Sequence, residues 1–217
     1  MADHSSAIGA LSDWYELVQG SELLQGDILE GCPVFRPPED LSWPIDDATA
    51  EFEFTVGQQD VIVMTQSCDL APSQKSDLWL VILCPLWRLS DAAAVNSFLA
   101  SSYGKEQCRR GNMTGYHMIS ACDDERWKRE VSVVSFREVW SLPLAFVWNM
   151  AGAMGQRPRL RSPYREHLAQ AFARYFMRVG LPVDIPPYRS DRAEEEVMRR
   201  LHAMDEETRR RILTSFG

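Results

Sequence analysis

The stretch Val61-Ile62-Val63-Met64-Thr65-Gln66-Ser67-Cys68-Asp69-Leu70 decides how this chain reads. An unbroken run from Val61 to Thr65 gives way to polar residues at Gln66. A short apolar run bounded by turn residues is the pattern of a strand covered on both faces. Its polar end, Thr65 to Asp69, falls where strand becomes loop, a frequent place for functional groups. A second run of the same kind, Leu78 to Cys84, closes at Pro85. The two runs predict neighbouring central strands joined by a polar loop, Ser67 to Asp77.

On the N-terminal side, Phe52, Phe54 and Val56 alternate with Glu51, Glu53 and Thr55, which predicts a half-buried strand. Gly57 to Asp60 reads as the turn after it. Cys32 to Asp47 holds Pro33, Pro37, Pro38 and Pro44 and reads as a loop. Leu23 to Leu29 reads as a strand. Residues 12–19 read as a short helix, capped by Asp13, with Trp14, Leu17 and Val18 on one face and Gly20 ending it.

On the C-terminal side, Ser90 or Asp91 caps a helix reaching about Ser101, and 102–113 is polar and basic. Gly115 to Ser120 and Glu130 to Phe136 read as strands, Val139 to Asn149 as a mixed apolar segment, and Arg157 to Arg161 as a short extended piece. Ser162-Pro163 starts a helix running to Val179. Tyr164, Leu168, Ala171, Phe172, Tyr175 and Val179 form its apolar face, and Gly180 stops it. A Pro-rich linker, Val183 to Ser190, precedes a helical pattern from Asp191 to Leu213. There the Glu194-Glu195-Glu196 run comes first and Arg209-Arg210-Arg211 last, an order that suits the helix dipole.

Strands that do not alternate regularly with helices argue against a doubly wound sheet. The expected fold is mostly β with some α: a small barrel or twisted sheet over residues 1–182, with a helical insertion and a closing helix, then a helical extension over 183–217.

The composition agrees with one compact domain. The chain has 217 residues, 45% of them hydrophobic, with 25% charged and 10% aromatic, which excludes wholesale disorder. No apolar run approaches the roughly 20 residues that span a bilayer. The opening Met-Ala-Asp-His-Ser-Ser lacks basic and apolar signal regions, so a cytoplasmic protein without membrane contact is expected. Five cysteines without a CxxC pair speak against a disulfide framework and a closed zinc site. A set drawn from Cys68, Asp69, His117 and Cys122 would need the fold to gather it. No Walker loop, GxGxxG, HExxH or GxSxG is present, so no metal and no cofactor are expected.

The net charge of -8 is unevenly placed. Residues 1–70 carry 14 acids and a single base, Arg36, whereas the remaining 147 carry 17 acids and 22 bases. Arg157, Arg159 and Arg161 alternate along an extended piece and therefore share a face. Such a row of guanidiniums suits phosphates, and Lys105, Arg109 and Arg110 add a second basic group. Two readings stand. The arginines pair with the acidic third, or they form a surface open to RNA or DNA phosphates.

The order of these elements resembles the PemK/MazF toxin superfamily, whose fold is an SH3-like barrel. Gln25-Gly26-Asp27-Ile28-Leu29 resembles that family's opening GDI strand. Val61 to Ser67 resembles its VVVLS strand, and Leu80 to Leu86 its VIVAPL strand. Ser132 to Trp140 resembles a later strand. Arg159 to Ser162, before a helix ending Arg178-Val179-Gly180-Leu181, resembles the closing unit. The resemblance implies a dimer or protein partner and a place in a toxin–antitoxin or phage-defence system. Those toxins cleave single-stranded RNA with an arginine before the first of these central strands and a Thr or Ser after the second. Here those places hold Gln59-Asp60 and Trp87-Arg88, so the catalytic pair is not at matching positions.

The expected function is therefore a non-enzymatic binding or regulatory module. Its nucleic-acid contacts would come from Arg88, Arg109, Arg110, Arg137, Arg157, Arg159 and Arg161. The alternative is an endoribonuclease with a relocated site. There Thr65, Ser67 or His117 does acid–base work and Arg88 or Arg137 stabilises the developing charge. A further alternative is a hydrolase built on Cys68 and His117 beside Ser67 and Asp69. Against it, Ser67 and Asp69 also suit a turn stabilised through their side chains, with Cys68 packed as a small hydrophobe.

Overall fold

The computed structural model describes residues 6–45, 51–70 and 80–177. The chain divides into two compact units, Met1–Arg178 and Val179–Gly217, and the described residues all belong to the first. The linker at 183–190, the helical pattern at 191–213 and Val179 of the closing helix lie outside them.

The described residues are mostly β, arranged in antiparallel sheets with helices on their faces. β1 (Ser6–Ala10), β2 (Tyr15–Gln19) and β11 (Gln156–Leu160) form a three-stranded sheet in the order β1-β2-β11. A larger sheet runs β3 (Ile28–Arg36), β4 (Thr55–Val63), β5 (Leu80–Arg88), β9 (Ser132–Ser135), β6 (Tyr116–Ile119), with β10 (Trp140–Pro143) also paired to β5. β7 (Cys122–Asp124) and β8 (Trp127–Arg129) form a separate hairpin. Among the described residues these strands do not close into a barrel. An isolated bridge, Asp27 to Arg159, links the two larger sheets.

The two central runs are strands as expected, and each is longer than its apolar core. β4 starts at Thr55, so Gly57 to Asp60 is strand and not turn. Its ladder to β3 runs through Pro33, Val34 and Phe35. β3 likewise extends to Arg36, into the stretch expected to be loop. Glu51 to Phe54 is not in a strand, and Phe54 and Val56 are exposed. Pro85 does not end β5. It falls between the part paired to β10 (Leu80 to Leu83) and the part paired to β9 (Leu86 to Arg88), where that edge has no ladder partner.

Residues 12–19 do not form a helix. Residues 15–19 are β2, sandwiched between β1 and β11. Tyr15, Leu17 and Val18 are all buried, and a strand covered on both faces mimics the clustered apolar spacing of a helix turn.

Side-chain alternation splits the large sheet between two cores. Ile62 and Met64 of the β4 region face one core with Tyr15, Leu86, Val134, Phe136 and Leu168. Val61 and Val63 face the other with Leu29, Val81, Leu83, Leu144 and Val147. In β3 a bulge between Leu29 and Cys32 keeps Cys32 and Val34 on the same side as Leu29. Gly31 occupies it at φ +63, a conformation that disfavours any Cβ, and its N–H donates to Asp60 Oδ1 at 3.0 Å.

α5 (Tyr164–Phe176) lays Leu168, Ala171, Phe172 and Tyr175 on the first core, the face read from the sequence. Tyr164 stacks on Trp14 with centroids 3.8 Å apart. α4 (Leu144–Ala153) covers the second core. The helix expected from residue 90 to 101 is two: α1 (Leu89–Val95) and α2 (Ser97–Ala100). The Asn96 side chain accepts from the N–H groups of Phe98 and Leu99 and so starts the second. Ser101 caps α3 (Ser102–Arg109), which occupies much of the stretch read only as polar and basic. No helix among the described residues is long and apolar enough to cross a membrane.

Candidate functional site

The acidic first third meets the basic remainder inside the protein. Asp27, just ahead of β3, is fully buried, as is Arg157 of β11, and Arg159 is 5% exposed. Asp27 Oδ2 accepts Arg157 Nε at 2.8 Å and Arg159 Nη2 at 3.0 Å, and Oδ1 accepts Arg159 Nε. The spare guanidinium N–H groups donate to the carbonyls of Gly20 and Glu22. Arg157 and Arg159 do share a face, and that face points inward. Their donors are satisfied away from solvent, so neither presents a guanidinium to RNA or DNA phosphates. Arg161 donates to the Ser12 carbonyl at 3.0 Å.

A second crossing involves a residue the sequence did not single out. Arg129 of β8 is buried and donates to Asp60 Oδ2 at 2.8 Å, Glu30 Oε1 at 3.4 Å, Ser132 Oγ at 2.9 Å and the Leu86 carbonyl at 3.2 Å. Asp27, Glu30 and Asp60 all come from the acidic third, and their ion-pair partners, Arg129, Arg157 and Arg159, come from the basic remainder.

The Thr65 to Asp69 segment is a structural corner. The Thr65 hydroxyl accepts the Ile82 N–H at 2.7 Å, and the Ser67 hydroxyl accepts the Gln25 N–H at 3.1 Å. Gln25 in turn donates to the Met64 carbonyl. Cys68 is exposed, with its sulfur 3.5 Å from Asp69 Oδ1 and 3.7 Å from Gln66 Oε1. His117 is elsewhere, in a cleft that Cys68 does not line. Among the described residues the Cys68 sulfur contacts Gln66 and Asp69, and no contact joins it to His117. Cys122 is buried, and no three His, Cys, Asp or Glu among the described residues are grouped to hold a metal ion.

The five thiols differ sharply in environment. Burial pushes Cys32 and Cys108 up to about 11 and Cys84 up to about 12. Native-state alkylation with iodoacetamide is expected to label Cys68 alone, with the other four reacting only on unfolding. Mass mapping of the adducts checks this, and labelling of Cys84 before Cys68 would contradict it.

His117 sits on β6 in a cleft of about 360 Å³ between α3, β6 and α5. Arg109 and Arg110 enter from α3, and His167, Gln170 and Arg174 from α5. Met113, Tyr116, Met118 and Phe136 provide the apolar wall. No carboxylate lines the cleft among the described residues. Arg109 and Arg110 share Glu106, which both guanidiniums hold well below the usual carboxylate range by hydrogen bonding. Arg174 has only Gln170 Oε1 within reach, at 3.4 Å, and no ion pair among the described residues. The cleft therefore carries net positive charge beside apolar walls.

Burial, with the charges of His167 and Arg174 nearby, pushes His117 down to about 4. The ring is neutral at pH 7. A folded value below the ordinary 6.5 means that the folded protein binds fewer protons than the unfolded chain. The stability linked to this ring is thus present above about pH 6.5 and is lost as pH falls towards 4. Imidazole NMR titration is expected to place His117 far below the ordinary 6.5, and His117→Gln is expected to flatten the acid limb of the stability curve. A His117 midpoint near 6.5 would refute both.

His117 was readable as a candidate. Its cleft neighbours His167 and Arg174 were not, although His167, Gln170 and Arg174 follow one another at helical spacing beside the apolar stripe of α5. Of the other basic candidates, Arg137 lies over the Tyr116 ring at 5.4 Å, next to the cleft, and Arg88 directly precedes α1 without a side-chain capping bond and does not line the cleft. No family model, no curated protein and no solved structure matches this chain.

Proposed function

We propose that the chain is a binding or regulatory module whose α3–β6–α5 cleft captures a phosphate-bearing anion. The observation that carries this reading is the cleft itself, where Arg109, Arg110, Arg174 and His167 surround a cavity lined by no carboxylate among the described residues. Guanidiniums on helix flanks around a concave site focus field on a bound anion. The sequence motifs alone carry the inferred kinship to the PemK/MazF-like SH3 barrels. The sequence motifs of that resemblance fall on β3, β4, β5, β9 and the β11–α5 unit. On that basis we place the protein in the cytoplasm, in a toxin–antitoxin or phage-defence setting, acting with a protein partner or a second copy.

The test is titration with inorganic phosphate and with single-stranded RNA, following the His117 and His167 imidazole resonances. Both resonances are expected to move, and added salt is expected to reverse the shift. Stationary resonances with both ligands would overturn the reading.

A second reading, phosphodiester cleavage, is favoured by one observation: two imidazoles share the cationic cleft, one of them neutral at pH 7. A neutral His117 is suited to accept a proton from an attacking hydroxyl, and Arg174 to stabilise charge on the phosphorus-bound oxygens. Thr65 and Ser67 have no part in this alternative, since neither lines the cleft. Multiple-turnover RNA cleavage abolished by His117→Ala would establish it, and intact RNA after prolonged incubation would dismiss it.

A further inference from the structure

We propose that the cleft binds a free nucleoside monophosphate, with the phosphate on the arginines of α3 and α5 and the base against the thioether and aromatic wall. This rests on the anion-capturing reading and gives it a ligand.

Two chemistries meet in one cavity. Arg109, Arg110 and Arg174 line it, and so do Met113, Met118 and Tyr116. An inorganic anion needs only the first set. A planar base with a charged group one sugar away uses both. Methionine sulfur and aromatic rings are favourable surfaces for a π-system. The Tyr116 ring is held in place: its hydroxyl takes the Asn96 side-chain N–H at 3.3 Å, and the Arg137 guanidinium lies 5.4 Å from its centroid. Thr114 and Gln170 supply neutral donors and acceptors suited to a ribose or a base edge.

The size and layout favour a small ligand over a polymer. The volume, about 360 Å³, sits at the lower end of the ~300–1,000 Å³ typical of small-molecule sites. A groove for single strands combines a cationic track along the backbone with successive stacking platforms. Here the charges converge on one cavity. The arginine row that would have extended a track is turned inward, with Arg157 and Arg159 on Asp27 and Arg161 on the Ser12 carbonyl.

The experiment is calorimetric titration of the full chain with the four nucleoside 5′-monophosphates, adenosine, ribose 5-phosphate, inorganic phosphate and a short single-stranded RNA without terminal phosphates. At least one monophosphate is expected to bind about tenfold or more tightly than ribose 5-phosphate, the gain a stacked base brings. Arg174→Gln, on an exposed helix face, is expected to weaken it about tenfold or more, with the fold unchanged by circular dichroism. Met118→Ala is expected to weaken the monophosphate and to leave inorganic phosphate unchanged. Equal affinity for ribose 5-phosphate and every monophosphate overturns this inference and leaves anion capture standing. RNA binding without monophosphate binding does the same. Failure of every phosphate-bearing ligand, or adenosine binding as tightly as its monophosphate, removes both.

Discussion

Asp27→Ala is expected to lower unfolding free energy by about 3–5 kcal/mol, the cost of stripping one partner from a buried ion pair. A single carboxylate at zero exposure accepts both Arg157 and Arg159. Its removal leaves two cations without a counter-charge in the interior. Typical domains hold only about 5–15 kcal/mol in reserve, so this loss brings the protein close to its unfolding threshold. Asp27→Asn keeps the shape and some hydrogen bonds and is expected to fall between parent and alanine variant. Urea unfolding followed by tryptophan fluorescence measures all three. Replacing the three charged residues together by apolar ones of similar volume is expected to recover much of the loss. A shift of less than about 0.5 kcal/mol for Asp27→Ala, the size of a neutral surface change, would refute the account.

The second large effect concerns ligand affinity. Arg110→Gln combined with Arg174→Glu is expected to weaken binding of a phosphate-bearing ligand by about 100-fold at low salt. A hydrogen bond to a charged group contributes roughly 1.5–3 kcal/mol, and each 1.4 kcal/mol is a factor of ten. Two such contacts, one of them reversed in sign, reach that magnitude. Both side chains are solvent-exposed, so stability is expected to stay within about 0.5 kcal/mol of the parent. Their loss is also expected to flatten the dependence of affinity on salt. Fluorescence anisotropy across a salt series checks both the affinity and the slope. Unchanged affinity in the double variant would move the anion site away from this cleft.

Much of the core was readable because its signals are local. The runs Val61 to Thr65 and Leu78 to Cys84 are apolar enough to be central strands in any context, and β4 and β5 lie there. The stripe on α5 is helical in spacing and packs as expected on the first core. Residues 12–19 failed for a tertiary reason. Tyr15, Leu17 and Val18 are clustered because both faces of β2 are covered, and the strand that completes its ladder lies beyond residue 155. Gly57 to Asp60 has the composition of a turn, and only pairing with β3 makes it strand. Arg157 and Arg159 share a face, as their alternation predicts, but the direction of that face depends on Asp27, more than a hundred residues away. The site shows the same division. His117 was visible as a lone imidazole, whereas its company comes from α5, whose residues line the same cleft.

The pairing of Asp27 with Arg159 has one more consequence, for a chain as it leaves the ribosome. The two residues are 132 positions apart. At about 5–20 residues per second, roughly 7–26 s pass between their syntheses. Throughout that interval the first third carries its acids with neither Arg157 nor Arg159 to receive Asp27, and β2 lacks one of the two strands that flank it. The nascent polypeptide is thus expected to stay protease-sensitive until the segment around β11 has cleared the exit tunnel. It then gains resistance in a single late step. Limited proteolysis of ribosome-stalled chains of increasing length would place that step after residue 160, and earlier protection would show that the halves fold independently.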